Sequence, residues 1–238
     1  MKKKISFIVI LLINILCAFM QVWMSTDTYN GIEFDLNYGI MIFCTLEFIS
    51  LSLLMKNRDD CLFFDNNLIK LTRIASRRKA MICEISKITA EVVIIETVKI
   101  IFTALFSLIL SKDVTISSVL LLFALELFIK LLLMLIQFEF EINAAYNFSF
   151  LIVCIAFLLL LLFGSAAYIF VSENPDSAIA PTLRFINKLN LINYISPDRA
   201  MHLCRNTGYP IAVTAALNIL QAVIMIHNSK RLNILPKE

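Results

Sequence analysis

Residues 88–137 read ITAEVVIIETVKIIFTALFSLIL, then SKDVT, then ISSVLLLFALELFIKLLLMLIQ. A helix needs about 20 mostly apolar residues to cross a hydrocarbon core of about 30 Å, and both flanking runs are long enough. They are runs rather than alternations of apolar and polar residues, so they fit helices and not barrel strands. No water serves the backbone in hydrocarbon, and a helix satisfies its own N–H and C=O groups. Only five residues join the runs, so the two helices are expected to be antiparallel neighbours.

Each run also carries an acid and a base: Glu96 with Lys99, and Glu126 with Lys130. Charges at such depth are costly and face the bundle interior, a partner charge or water. At 1.5 Å per residue, Lys99 and Glu126 both lie about 15–16 Å from the connection, and Glu96 and Lys130 both about 21 Å. Depths match and signs oppose. The expectation is a four-residue charge network joining the two helices, with either a structural role or a place in a translocation path. Glu47 and Glu91 also fall within or near apolar runs, Glu91 close enough to an end to reach headgroups.

Working outward, four more stretches qualify, which makes an all-α membrane protein with six spans at about 5–24, 36–55, 88–110, 116–137, 148–171 and 210–227. The whole chain, 1–238, reads as one transmembrane domain. Composition agrees. Apolar residues make up 60%, charged residues 16%, and the mean hydropathy is +0.84. A soluble domain runs nearer half and a quarter, and disorder needs far fewer apolar residues. The first run, after Lys2, Lys3 and Lys4, is as long as a crossing and is followed by no small-x-small cleavage site, so it reads as an uncleaved helix with Trp23 at the interface.

Orientation follows from Lys and Arg in the loops. Fourteen fall in the N-terminal tail, the 56–87 loop and the C-terminal tail; five fall on the other side. Both termini are therefore expected in the cytoplasm, with the chain in the plasma membrane. The basic residues are explained by orientation and anionic lipid, so nucleic acid is not expected as a partner.

Two loops are long. The cytoplasmic loop, 56–87, contains a stretch from about 66 to 79 with Leu68, Leu71 and Ala75 on one face and Lys70, Arg73, Arg77 and Arg78 flanking it. That pattern is an amphipathic helix at the inner membrane surface. It can anchor on headgroups or dock in a partner's groove. The outward loop, 172–209, shows two short helix signals. One is Pro181 ahead of Leu183, Phe185, Ile186 and Leu189; the other is Ser196-Pro197-Asp198, a cap and first turn, with Gly208 ending the piece. The loop is expected to fold back onto the outer membrane face as a lid or a gate. In the sixth span Thr214, Asn218 and Gln221 share one face among alanines. Such faces mark helix–helix contact or, less often, a pathway lining.

Chemistry is sparse. The four glycines, Gly31, Gly39, Gly164 and Gly208, admit no phosphate-binding loop. No Gly-x-Ser-x-Gly or His-Glu-x-x-His occurs. The six cysteines include no Cys-x-x-Cys, and His202 and His227 are isolated. No catalytic residue, metal ligand or cofactor site is expected on this chain.

Six spans, cytoplasmic termini, a basic amphipathic helix after the second span and a two-helix outward segment after the fifth together resemble the type-2 permease subunits of bacterial ABC transporters. Residues 68–79, LIKLTRIASRRK, look like the cytoplasmic segment of small permeases of that family, of the peptide-export and antimicrobial-immunity type. The resemblance implies a coupling role for Leu71, Arg73, Ile74, Ser76, Arg77 and Arg78 against a separate ATPase subunit. It also implies a second permease subunit, identical or related, and ATP and Mg held by the partner alone. The substrate would be peptide-like or amphiphilic. The competing expectation is a membrane immunity or binding protein that works without ATP.

Overall fold

The computed structural model describes residues 2–24, 38–56, 61, 63, 76–111, 116–143, 149–204, 206 and 208–229. Among these there is no strand. The chain forms α1 (Lys2–Met24), α2 (Tyr38–Lys56), α3 (Arg77–Ile109), α4 (Ile116–Asn143), α5 (Ser149–Glu173), α6 (Ala180–Leu189), a 3-10 turn (Leu191–Ile195), α7 (Pro197–Cys204) and α8 (Gly208–Asn228). Five of them, α1, α3, α4, α5 and α8, are long and apolar enough to cross a membrane. By length and composition they mark a multi-pass membrane protein. The stretch expected as the second span folds as α2, a helix of 19 residues outside that set of five.

Polarity runs opposite to that of a soluble protein. Leu12, Leu108, Ile109, Leu159, Ile219 and Val223 lie exposed, while Asn14, Gln21, Glu47, Ser52, Glu126 and Gln137 lie buried. Lipid accepts the first set, and helix–helix contacts satisfy the second. Hydroxyls inside the helices bond their own preceding turn, as Thr103 does to Lys99 O at 3.0 Å and Ser107 to Thr103 O at 2.8 Å.

Helix α4 sits at the centre, packed on α2, α3, α5 and α8; α3 also meets α1 and α8, and α2 rests on α1 and α5. The expected antiparallel pair of α3 and α4 is thus in contact. Phe48 of α2 and Phe157 of α5 stack at 4.2 Å with rings 13° apart, filling the α2–α5 contact.

Boundaries moved in two informative places. Helix α3 starts at Arg77, not near residue 88, because Ser76 caps it: the Ser76 backbone is extended (φ −143°, ψ 106°) and its Oγ accepts from Lys79 N at 3.4 Å. A helix expected over 66–79 therefore cannot run through Ser76, and Arg77 and Arg78 belong to α3. At the other end Ser111 takes the left-handed conformation (φ 54°) that stops the helix, with its N–H on Leu108 O at 3.2 Å. Gly208 was expected to end α7; instead α7 ends at Cys204 and Gly208 opens α8. The signals at Pro181 and Ser196 both sit at helix starts, Pro181 in the first turn of α6 and Ser196 Oγ accepting from Arg199 N at 3.4 Å ahead of α7.

Candidate functional site: a buried charge cluster

In mid-bundle α2, α3 and α4 bring five ionisable side chains together. Lys99 Nζ donates to Glu126 Oε2 at 2.5 Å and to Glu47 Oε2 at 3.0 Å. Lys130 Nζ donates to Glu47 Oε1 at 2.6 Å, to Glu96 Oε2 at 3.1 Å and to Glu126 Oε2 at 3.2 Å. Four of the five residues were expected from depth alone, including the pairs Lys99–Glu126 and Glu96–Lys130. All five are essentially fully buried.

Glu47 is the member the sequence reading left out. It pairs with both lysines, and Gln21 of α1 also donates to its Oε2 at 3.3 Å. A signal was present. Its neighbours three and four residues away along α2 are Phe43, Cys44, Ser50 and Leu51. None can neutralise it, so its partner had to come from another helix.

One oxygen from each of Glu47, Glu96 and Glu126 lies within 4.8 Å of the others, a spacing a metal ion can use. The ammonium groups of Lys99 and Lys130 sit on these same carboxylates. A metal would have to displace them, so the donor set fits cationic side chains better than an ion. The cluster can store charge and hold three helices in register. Beside it Asn14 of α1 donates to Ser50 Oγ of α2 at 3.1 Å.

A second buried polar centre lies in the segment between α5 and α8. Asn190 Nδ2 donates to Leu160 O at 2.7 Å, and Asn193 Nδ2 to Asn187 O at 3.0 Å. Arg199 donates to Asn193 Oδ1 at 2.9 Å and Ser165 Oγ at 3.0 Å, and its guanidinium stands 5.3 Å from the Tyr168 ring centre. A Cβ on Gly164 would collide with the side-chain amides of Asn193 and Asn190, so glycine permits this close approach. Leu160 lies about 20 Å along α5 from its Glu173 end at 1.5 Å per residue. The segment therefore wedges into the bundle rather than resting on its face. Irregular backbone at that depth is tolerated where protein covers it. Helix α6 agrees: Phe185 and Leu189 point outward and Asn187 inward. Tyr194 donates to Lys188 O at 2.5 Å and accepts from Cys204. Burial first, then the contact with Cys204, pushes its phenol well above the usual range.

The face of Thr214, Asn218 and Gln221 turns onto α4. Thr214 bonds its own helix at Pro210 O (2.7 Å), Asn218 Nδ2 reaches Phe128 O at 2.7 Å, and Gln221 donates to Glu139. Those of Asn218 and Gln221 are helix-to-helix ties, as in the packing alternative of the two. Of the six residues expected to couple to an ATPase, Ser76, Arg77 and Arg78 stand at the start of α3, while Leu71, Arg73 and Ile74 lie outside the described residues. Comparison with family models, with curated proteins and with solved structures finds no match to this chain.

Proposed function

We propose that this chain is the membrane-spanning permease subunit of an ATP-driven transporter in the plasma membrane, exporting or clearing a peptide-like or amphiphilic substrate. In this reading α2 also crosses the membrane and brings the spans to six, both termini are cytoplasmic, and a separate subunit hydrolyses ATP. A second permease subunit completes the pathway.

The observation that carries the reading is α3. Its 33 residues give a rod of about 50 Å, some 20 Å more than a hydrocarbon core needs. It starts with Arg77, Arg78 and Lys79 and carries Glu96 and Lys99 in its middle. One unbroken helix thus joins the basic segment to the buried cluster. A push delivered at the basic end reaches the bundle interior without a joint.

The test is co-purification from detergent. An ATPase subunit is expected to come down with the wild-type chain and to be lost when Arg73→Glu and Arg77→Glu are combined. Binding that survives the double change removes the coupling assignment. A chain that protects cells from its substrate when expressed alone supports the ATP-independent alternative instead.

A further inference from the structure

We propose that the mid-bundle cluster is a proton-binding site, with one exchangeable proton carried by Glu96. Two separate counts lead there. The first is charge. Glu47, Glu96 and Glu126 face Lys99 and Lys130, so the fully ionised cluster keeps one negative charge with no counter-ion. An unbalanced charge at that depth is costly, and the cheapest remedy is a proton.

The second count is of hydrogen-bond donors. Glu96 Oε1, Glu126 Oε1 and Gln21 Oε1 are buried with no donor. All three are acceptors, so the cluster lacks N–H or O–H groups rather than lone pairs. Lys130 has spent its three N–H bonds on three carboxylates. A carboxylic acid supplies an O–H where Lys130 has no hydrogen left to give.

Glu96 is the carboxylate least served. Glu47 accepts from Lys99, Lys130 and Gln21, and Glu126 from both lysines. Glu96 accepts from Lys130 Nζ, which lies 3.0 Å from its Oε1 but donates to Oε2. The ionisable surroundings are few. On its own helix stands Lys99; α2 brings Glu47 and α4 brings Glu126 and Lys130. The thiols of Cys17 on α1 and Cys44 on α2 are within electrostatic reach of Glu47. Helix α8 carries only Tyr209 and His227, near its two ends. Because one oxygen of each acid lies within 4.8 Å of the others, small side-chain rotations pass the proton between carboxylates.

Infrared difference spectroscopy on the full chain in lipid nanodiscs tests this without reference to transport. At neutral pH the wild type is expected to show a carboxylic-acid C=O band that shifts in deuterium oxide. Glu96→Gln is expected to lose the band and keep its melting temperature. Lys130→Gln removes a positive charge, so a second acid must take a proton and the band should grow roughly twofold; misfolding does not mimic that gain. Raising the pH should bleach the wild-type band and lower its melting temperature, with no such fall in Glu96→Gln. Absence of the band in the wild type, or its survival in Glu96→Gln, overturns the proposal. So does a wild type whose melting temperature rises with sodium or calcium while the band is missing, because the site would then hold a metal cation.

Discussion

Two of the buried polar centres among the described residues are built on different physics. The cluster of Glu47, Glu96, Lys99, Glu126 and Lys130 is ionic and joins three long helices through side chains alone. The centre at Asn190, Asn193 and Arg199 is mostly neutral, joins a short irregular segment to α5, and depends on contact at Gly164. In the first, each ammonium serves several carboxylates, and geometry is forgiving because charge acts over distance. In the second, each amide holds short, directional bonds to fixed partners, and an added methyl group displaces it. The first should fail when charge changes, the second when shape changes.

Lys130→Met tests the first half most severely. It leaves three buried carboxylates with one ammonium, and the cost is expected at about 4 kcal/mol of stability, read from unfolding in mixed micelles. A loss under 1 kcal/mol would mean the cluster is hydrated rather than buried. Exchanging Lys99 and Glu126 sharpens the point. As an isolated pair they would tolerate the exchange, but Glu47 and Lys130 stand beside them. The exchange places acid beside acid and base beside base, so Lys99→Glu with Glu126→Lys should recover only part of what each single change loses.

Gly164→Ala tests the second half, and about 2 kcal/mol is expected because Asn193 and Asn190 must move. The reverse change at an exposed position of α5, Ala156→Gly, should cost about half as much through helix propensity alone. Asn218→Ala belongs to neither centre and loses one tie to α4, at about 0.6 kcal/mol in the same assay. Tyr194→Phe is the mildest at neutral pH. Its phenol stays neutral in the folded chain while an unfolded tyrosine ionises at about pH 10. Wild-type stability should therefore fall as pH rises past that value, and the Phe variant should lack that part of the fall.

The two centres were not equally legible in the sequence. A lysine in an apolar run stands out, and helix rise converts its position to a depth, so four members of the cluster were paired across a five-residue connection. Glu47 escaped because no short connection fixes the depth of α2 against α3. Arg199 escaped for a different reason: an arginine in a polar loop looks like any other base on that side of the chain. Asn187, Asn190 and Asn193, each three residues from the next, and Gly164, the glycine of α5, were the available clues. The Ser76 cap was masked by the basic run that follows it, which continued the amphipathic pattern in register.

Helix α3 contains neither glycine nor proline, so it has no hinge between Ser76 and Ser111. Lys99 lies about 33 Å from Arg77 along this shaft. Pivoting the shaft about that end by about 5° displaces Lys99 by about 3 Å, comparable to the separations that bind it to Glu47 and Glu126. The shared carboxylates and ammonium groups therefore commit α2 and α4 to follow any swing of that shaft.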